Sequence, residues 1–192
     1  MKPLKLSQPY LIAMVGIPGS GKSFFADHFA KTFNASIVSG EIINSNTISQ
    51  IAASEVSSYV LRELFKSNST IIYDKDLKRR GDRQELSRLA KQAGYETLFV
   101  WVQTDTAAAK SRFVKSHKID KSTAADLFEN EYHKFTAPNS LEKHIVISGK
   151  HTYASQLKIV LTKLADSRPV IDSPERQDNA PRHEASRRIA IR

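Results

Sequence analysis

The sequence predicts an α/β fold with a five-stranded parallel sheet that is covered by helices on both faces. Short apolar segments alternate along the chain with amphipathic helical patterns, which is typical of parallel strands joined by right-handed helical crossovers. The first apolar segment is followed by residues 16–23, GIPGSGKS, which match the phosphate-loop pattern G-x-x-x-x-G-K-[ST]. Together these two observations predict a fold of the P-loop NTPase type.

The segments on either side of the loop supply the context that the motif requires. Residues 10–15 form a short apolar run with the character of a buried parallel strand. After the loop, Phe25, Phe29 and Phe33 recur at the i, i+4, i+8 spacing of an amphipathic helix. Strand, loop and helix therefore follow one another in the expected order.

Each residue type in the loop contributes to phosphate binding in a different way. Glycine at positions 16, 19 and 21 permits positive φ and lets backbone N–H groups approach phosphate oxygens. The following helix N-terminus favours an anion, Lys22 can reach the β- and γ-phosphates, and the Ser23 hydroxyl can bind Mg²⁺. We therefore expect ATP and Mg²⁺ as cofactors. The predicted nucleotide-binding residues are Gly16, Ile17, Pro18, Gly19, Ser20, Gly21, Lys22 and Ser23.

The next elements place two carboxylates at strand ends. Residues 35–39 predict a second strand, and Glu41 lies just beyond its carboxyl end, where parallel sheets handle ligands. Thr47 and Gln50 have the spacing of a capping box, and a helix with apolar positions 48, 51, 52, 56, 60 and 64 is expected to end near Lys66. Residues 70–73 predict a third strand that ends on Asp74.

The second half of the chain continues the alternation. A helix that includes Leu86 should stop at Gly94, and residues 96–102 predict the fourth strand. Asp105 should cap a helix that ends near residue 116, and another helix should run from about 123 to 132. A fifth strand at 144–148 and a closing helix with apolar residues at 157–164 complete one domain over residues 1–166. Residues 167–192 carry six arginines, four acids and three prolines, which predicts a disordered basic tail.

Composition limits the location and the partners. The net charge of +9 and the pI of about 9.7 favour contact with an anion such as a nucleotide or a nucleic acid, although a solvated basic surface explains them equally well. The sequence contains no cysteine, so disulfides and thiolate zinc sites are excluded. No apolar run is long enough to span a membrane and no signal peptide is recognisable, so we expect a cytoplasmic protein without membrane contact.

Missing motifs narrow the class of P-loop protein. The chain has no N-K-x-D motif for guanine, which argues against a GTPase. Transporter-type ATPases and AAA+ motors usually place a catalytic Glu after the strand-end Asp, whereas Lys75 follows Asp74 here. The short chain and the basic segment at 110–121 instead favour a phosphoryl-transfer kinase with a lid.

The loop at 16–23, Asp74, Gly94-Tyr95 and the strand FVWV at 99–102 resemble the polynucleotide 5′-hydroxyl kinase and zeta-toxin-like group. This resemblance covers about residues 9–165. It implies that Lys22 and Ser23 hold the phosphates and Mg²⁺, that Asp74 acts in the metal or water shell, and that Arg112 is a lid arginine near the transferred phosphate. The acceptor would be a hydroxyl of a nucleic-acid end, a nucleotide or a small metabolite.

Two positions differ from that group. The group usually has an aspartate after the second strand, often as D-x-x-R, whereas this chain has SGEIIN at 39–44, so Glu41 becomes the candidate for acceptor activation. The second lid arginine is replaced by Ser116, leaving Lys115 or Lys118 as substitutes. The alternative hypothesis is therefore a catalytically degenerate ATP-binding module. The acceptor and the oligomeric state remain open.

Other polar residues suggest weaker assignments. The histidines show no metal-ligand spacing, and Phe99 and Trp101 are expected in the core. Asp76 is expected to be a cap or surface residue, and residues 149–151 are candidates for contact with adenine. The basic residues in and before the predicted helix that includes Leu86 could guide an anionic substrate or form a solvated face; they are Lys78, Arg79, Arg80, Arg83 and Arg88.

Overall fold

The computed structural model describes residues 9–166 and contains a five-stranded parallel sheet. The strands are β1 (Tyr10–Val15), β2 (Ser36–Ser39), β3 (Ile71–Asp74), β4 (Glu96–Gln103) and β5 (His144–Ser148). Their order in the sheet is β2-β3-β1-β4-β5, and every neighbouring pair is parallel. The predicted α/β fold is confirmed. The predicted tail at 167–192 lies outside the described residues.

Seven helices connect and cover the described strands. They are α1 (Lys22–Phe33), α2 (Gly40–Ser45), α3 (Gln50–Phe65), α4 (Arg80–Gln92), α5 (Thr106–Ser116), α6 (Lys121–His133) and α7 (Tyr153–Asp166). The apolar core is divided by the sheet into two layers. Phe25 and Phe29 of α1 pack with Val160 of α7 on one face, whereas Leu61 of α3 and Leu86 of α4 pack on the other.

Strand β1 lies at the centre of the sheet and is buried on both faces. All six of its side chains are buried, which is why its sequence is continuously apolar instead of alternating. It pairs with β3 on one side and β4 on the other, so the loop that follows it emerges between their carboxyl ends. The central position of β1 places the phosphate loop at the topological switch point of the sheet.

The predicted start of α3 is wrong, and its predicted inward face is only partly right. The helix begins at Gln50, and the cap is Ser49, whose Oγ accepts from the Ala52 N–H at 3.1 Å. Thr47 instead donates its hydroxyl to the Ile43 carbonyl oxygen. Of the predicted set at 48–64, Val60 and Leu64 are partly buried against the core, whereas Ile48, Ile51 and Val56 do not face inward. The buried residues of α3 are Ala53, Ser57, Leu61 and Phe65, while Ile48, Ile51, Val56 and Tyr59 are exposed.

A buried polar position on the inward face of α3 is explained by a contact that the helical pattern does not encode. Lys75, which follows β3, extends along the face of α3 and donates its ammonium to the Ser57 Oγ at 2.9 Å. Small side chains at Ala53 and Ser57 allow this approach, and Ser57 is buried. A hydrogen-bonded polar residue thus occupies an inward position that hydrophobicity would assign to an isoleucine.

Other predicted boundaries are confirmed. Gly94 follows the end of α4 with φ of +79°, a left-handed conformation that suits glycine. Asp105 caps α5, since its Oδ1 accepts from the Ala108 N–H at 2.8 Å. Both signals depend on local sequence, which explains why they were predictable.

Arg83, one of the basic residues near the start of α4, neither guides an anionic substrate nor lies on a solvated face. Arg83 is fully buried and donates its Nε to Glu142 Oε1 at 2.6 Å. Its guanidinium also donates to the carbonyl oxygens of Leu77 at 3.0 Å and Thr136 at 2.9 Å. Arg83 therefore joins α4 to the segment before β5, and it is not available to guide a substrate.

Candidate functional site

The loop between β1 and α1 has the backbone conformation that its glycines predicted. Gly16, Gly19 and Gly21 have φ of +146°, +69° and +103°, all in the region that favours glycine. The N–H of Ser20 donates to the Ile17 carbonyl oxygen at 3.3 Å and closes a turn within the loop. The loop thus folds into a compact cradle before the first turn of α1.

Lys22 lies across this cradle. Its ammonium donates to the carbonyl oxygens of Gly16 and Ile17, both at 2.9 Å. Burial lowers the pKa of Lys22, while the negative charges of Asp74 and Asp76 act in the opposite direction. The cation is therefore held against the loop carbonyls and partly withdrawn from solvent, where its attraction for a phosphate is stronger than in water.

Neighbouring elements hold the loop from outside. A Cβ on Gly16 would lie 2.6 Å from the Val102 carbonyl oxygen at the end of β4. A Cβ on Gly149, after β5, would lie 2.0 Å from the carbonyl oxygen of Ser20, which also accepts the Thr104 hydroxyl at 3.0 Å. Gly149 was considered only for adenine contact, and its close packing against the loop has no signal in the sequence.

Asp74 lies at the carboxyl end of β3, beside the first turn of α1. The Ser23 side chain lies near it and acts to lower the pKa of its carboxyl group. Burial raises the pKa of Asp74, and this effect exceeds the opposing influences of Ser23 and Lys22. Because α4 begins only at Arg80, Asp74 is not the helix cap that its position after a strand also allowed. The structure thus brings Lys22, Ser23 and Asp74 together as predicted.

Glu41 also approaches this group. It lies in the first turn of α2, directly after β2, and Ser39 of β2 is in register with Asp74. The negative charges of Glu41 and Asp27 both contribute to the raised pKa of Asp74. Asp27 was missed by the sequence analysis. Its signal was its position four residues after Ser23 on α1, one turn along the same helix face.

Arg112 is exposed on α5 and lies against the loop after β5. Its guanidinium donates to the Gly149 carbonyl oxygen at 3.0 Å. Ser116, at the position of the second lid arginine, donates its hydroxyl to the Phe113 carbonyl oxygen within α5. Within residues 9–166, Lys115 and Lys118 form no ion pair with a carboxylate, so both cations remain available to an anion.

The predicted lid is a helical hairpin that packs onto the phosphate loop. Helices α5 and α6 enclose Ile17 in a small apolar cluster with Ala109 and Phe128. Lys110 of α5 pairs with Glu129 of α6 at 2.6 Å, which joins the two helices on their outer side. The side chain of Ile17 therefore anchors the hairpin, while the turn between its helices, residues 117–120, faces solvent.

The residues present fit a nucleotide and a divalent cation. The glycine cradle, the enclosed ammonium of Lys22 and the following helix N-terminus suit phosphate oxygens. The Ser23 hydroxyl and the Asp74 carboxylate are oxygen ligands of the kind that Mg²⁺ prefers. Within the described part of the chain, no three His, Asp or Glu side chains form a metal cluster, so such a cation would take its other ligands from phosphate and water.

The remaining candidates take structural or surface positions. Asp76 is exposed and pairs with Lys78, which also pairs with Glu131 of α6. Arg88 is exposed and pairs with Glu85. Between residues 9 and 166, no helix is both long enough and apolar enough to cross a membrane. The cytoplasmic location stays a prediction.

The fold and the loop together define the class: this is a P-loop NTPase domain with a kinase-like fold. Residues 11–127 match the protein family described as AAA domain, and because this match covers more than half of the chain, the protein belongs to that family. No curated protein matches the sequence significantly.

Solved structures show the same fold. A gluconokinase from Sinorhizobium meliloti 1021 is 15% identical, with a TM-score of 0.62 over 85% of this chain and 94% of that one. A deoxyadenosine kinase from M.mycoides is 17% identical, with a TM-score of 0.53 over 81% of this chain and 99% of that one. Kti12 from Chaetomium thermophilum, solved with ADP-AlF3, is 17% identical, with a TM-score of 0.58 over 81% and 97%.

These similarities support the kinase-like fold, while the polynucleotide-kinase and zeta-toxin-like group remains a prediction. The expectation that the chain is not an AAA+ motor also remains a prediction. It depends on the position after Asp74, where Lys75 directs its ammonium to Ser57 on α3.

Proposed function

We propose that this protein is an ATP-dependent phosphotransferase that transfers the γ-phosphate to a hydroxyl group. The observation that carries the proposal is the convergence of Lys22, Ser23 and Asp74 at the mouth of the glycine cradle. The kinase-like fold supports it. The hydroxyl group would belong to a nucleic-acid end, a nucleotide or a small metabolite.

In this mechanism the loop amides and Lys22 hold the β- and γ-phosphates, and Ser23 and Asp74 would hold Mg²⁺. The cation, when bound, would neutralise charge on the phosphate oxygens. The acceptor oxygen forms a bond to the γ-phosphorus while the bond from that phosphorus to the β–γ bridging oxygen breaks. ADP leaves, and the proton of the acceptor hydroxyl passes to a carboxylate, for which Glu41 is the candidate.

An open groove next to Asp74 supports the placement of an acceptor. It lies between α3 and α4, has a volume of about 970 Å³, and begins at Lys75 and Asp76, directly after β3. Leu61 and Leu86 contribute apolar surface, and Tyr73 adds a phenol whose pKa burial raises to about 12. Asp74 and the residues of the phosphate loop do not line this groove, so an acceptor would have to extend from it past Lys75 to reach the γ-phosphate.

Arg112 and Lys115 of α5, together with Lys118 of the turn that follows it, complete the proposal. Arg112 would stabilise negative charge on the transferred phosphoryl group after exchanging its present partner, the Gly149 carbonyl, for the nucleotide. Lys115 or Lys118 would act as additional point charges, without the bidentate geometry of an arginine.

The second candidate function is an ATP-binding module without transferase activity. It is favoured by Ser116 at the second lid position and by the missing arginine after Glu41. Such a protein would bind ATP at the same cradle, and binding would alter its contacts with a partner.

The test is transfer of label from γ-labelled ATP to a panel of nucleic-acid ends, nucleosides, nucleotides and sugars. We expect acceptor-dependent transfer that falls by about 100-fold or more in Lys22→Ala and in Glu41→Gln. Glu55→Gln, an exposed acid on α3, is the matched control for Glu41→Gln and should keep full activity. ATP binding without transfer to any acceptor would favour the second candidate, and Lys22→Ala with wild-type transfer would disprove the first.

A further inference from the structure

The outward side of α3 carries apolar side chains that no element within residues 9–166 covers. Ile48, which precedes the helix, is fully exposed, and Ile51 and Tyr59 of the helix are 74% and 62% exposed. Val56 of α3 is 41% exposed, and Ile42 of α2, the helix that packs against α3, is 62% exposed. We call these five side chains the α3 patch.

Three residues of the α3 patch belong to the apolar stripe that the sequence predicted as the inward face of this helix. Apolar residues at helical spacing normally mark a buried face. The row that contains Ala53 and Ser57 faces the sheet instead, while Ile48, Ile51 and Val56 of the stripe are exposed. This part of the stripe is a regular apolar surface without a partner in the described residues, which indicates that another molecule covers it.

The size of the α3 patch suits a protein interface. Its five side chains together expose roughly 600 Å², which is the upper end for the largest apolar patch on a typical monomer. A standard interface buries about 800 Å² on each partner, its polar rim included. Exposed polar residues beside the patch, such as Gln50 and Glu55, supply that rim.

The charge of this region selects the kind of partner. Residues 32–61 contain no lysine or arginine, although the chain contains 29, and their charged side chains are Glu41 and Glu55. Nucleic acids and anionic membranes are held by cations beside the contact surface, so neither suits this face. Copies of a protein with a net charge of +9 repel each other, and a face without cations lets two of them meet with the least repulsion.

From these observations we infer that two copies of this protein associate through the α3 patch. A two-fold axis would place the patch of one protomer on the same patch of its partner, so that each apolar surface covers the other. Ile48, Ile51 and Tyr59 are the most exposed members on α3 and beside it, and they would form the centre of the contact. This inference concerns association and depends neither on phosphoryl transfer nor on bound ATP.

Sedimentation of the full-length chain over about a hundredfold range of concentration tests the proposal. We expect the average mass to rise from 21.5 kDa towards twice that value. The double variant Ile48→Ser with Ile51→Ser should raise the dissociation constant of the dimer at least about tenfold, because it removes two exposed apolar anchors. Ile159→Ser, which replaces an exposed isoleucine of α7 on the other face of the sheet, is the matched control and should leave the dimer intact.

Because the chain contains no cysteine, cross-linking gives an independent readout. Glu55→Cys, beside the patch, should yield a covalent dimer with a short bifunctional maleimide, whereas Lys158→Cys, exposed on α7, should not. Circular dichroism of the double serine variant checks that it is folded, as we expect for two exposed positions.

A chain that stays at 21.5 kDa at every concentration overturns the proposal and leaves the patch to a different protein. A dimer that forms equally well in the folded double variant also overturns it, because the contact would then lie elsewhere. Cross-linking of Lys158→Cys in place of Glu55→Cys leads to the same conclusion. A failed transfer assay leaves these results untouched, because no turnover is measured.

Discussion

Gly19 of the phosphate loop lies so close to Ala109 of α5 that a Cβ on Gly19 would sit 2.2 Å from the Ala109 carbonyl oxygen. The contact joins the loop to the helical hairpin, and the burial of Ile17 against Ala109 and Phe128 strengthens it. The two elements are therefore in direct backbone contact. Nucleotide binding and the position of Arg112, three residues after Ala109, are thus structurally coupled.

Gly19→Ala should destabilise the protein and weaken ATP binding, because the new methyl group would collide with Ala109 and because φ is +69°. We expect a loss of about 1–3 kcal/mol of unfolding free energy, measured by urea denaturation, and reduced affinity by calorimetry. Gly81→Ala is the control. It lies in α4 with open space around it and should be neutral or stabilising by up to about 1 kcal/mol. Equal stability of the two variants would contradict the prediction.

Asp74→Asn should raise Tm near neutral pH in the absence of Mg²⁺ and nucleotide. Burial raises the pKa of Asp74 above its ordinary value of 3.8, so the folded protein holds this proton more tightly than the unfolded chain does. That stability is present below the ordinary pKa and is lost as the pH rises through the raised one. Asparagine does not ionise, so the variant avoids this loss. The Tm of the variant should therefore exceed that of the wild type by more at neutral pH than at acidic pH.

The same Asp74→Asn variant should respond more weakly to Mg²⁺. We expect the Mg²⁺ affinity in the presence of ATP to fall about 10–100-fold, measured by titration. Asp76→Asn, in which an exposed carboxylate paired with Lys78 is replaced, is the control and should bind Mg²⁺ as the wild type does. A difference in Tm that stays constant with pH, or an unchanged Mg²⁺ affinity, would argue against the assigned position of Asp74.

Arg83→Met should be strongly destabilising. It removes the guanidinium that pairs with Glu142 and leaves a carboxylate buried without its cation, which costs about 3–5 kcal/mol. Urea denaturation measures the loss. Arg88→Met is the matched control, because Arg88 is exposed and its pair with Glu85 is solvated, and it should change stability little. The double variant Arg83→Met with Glu142→Leu should recover most of the loss; a failure to do so would show that the carbonyl contacts of Arg83 dominate.

Ser49→Ala should cost about 1 kcal/mol, because the Ser49 Oγ caps the N-terminus of α3. Gln50→Ala tests the capping box that the sequence suggested. Since Gln50 makes no side-chain hydrogen bond within the described residues, its replacement should change the unfolding free energy very little. The two variants are compared by urea denaturation. A larger loss for Gln50→Ala than for Ser49→Ala would restore the original assignment.

Much of the fold was predictable because its signals are local. The strand-loop-helix unit around Lys22, the glycine after α4 and the cap at Asp105 each depend on a few consecutive residues. The inward face of α3 was only partly predictable, because the buried Ser57 takes its hydrogen bond from Lys75, which is distant in sequence. The burial of Arg83 depends likewise on Glu142, 59 residues away.

By itself, the sequence determined the phosphate cradle and the presence of a carboxylate at the end of β3. The tertiary structure decided which groups meet there. The strand order places the ends of β2, β3 and β1 side by side, and so brings Glu41 and Asp74 to Ser23, while Gly149 and Ala109 hold the loop from outside. The physical reason is that a parallel sheet joins strands that are distant in sequence, and the spacing of residues along the chain does not record those contacts.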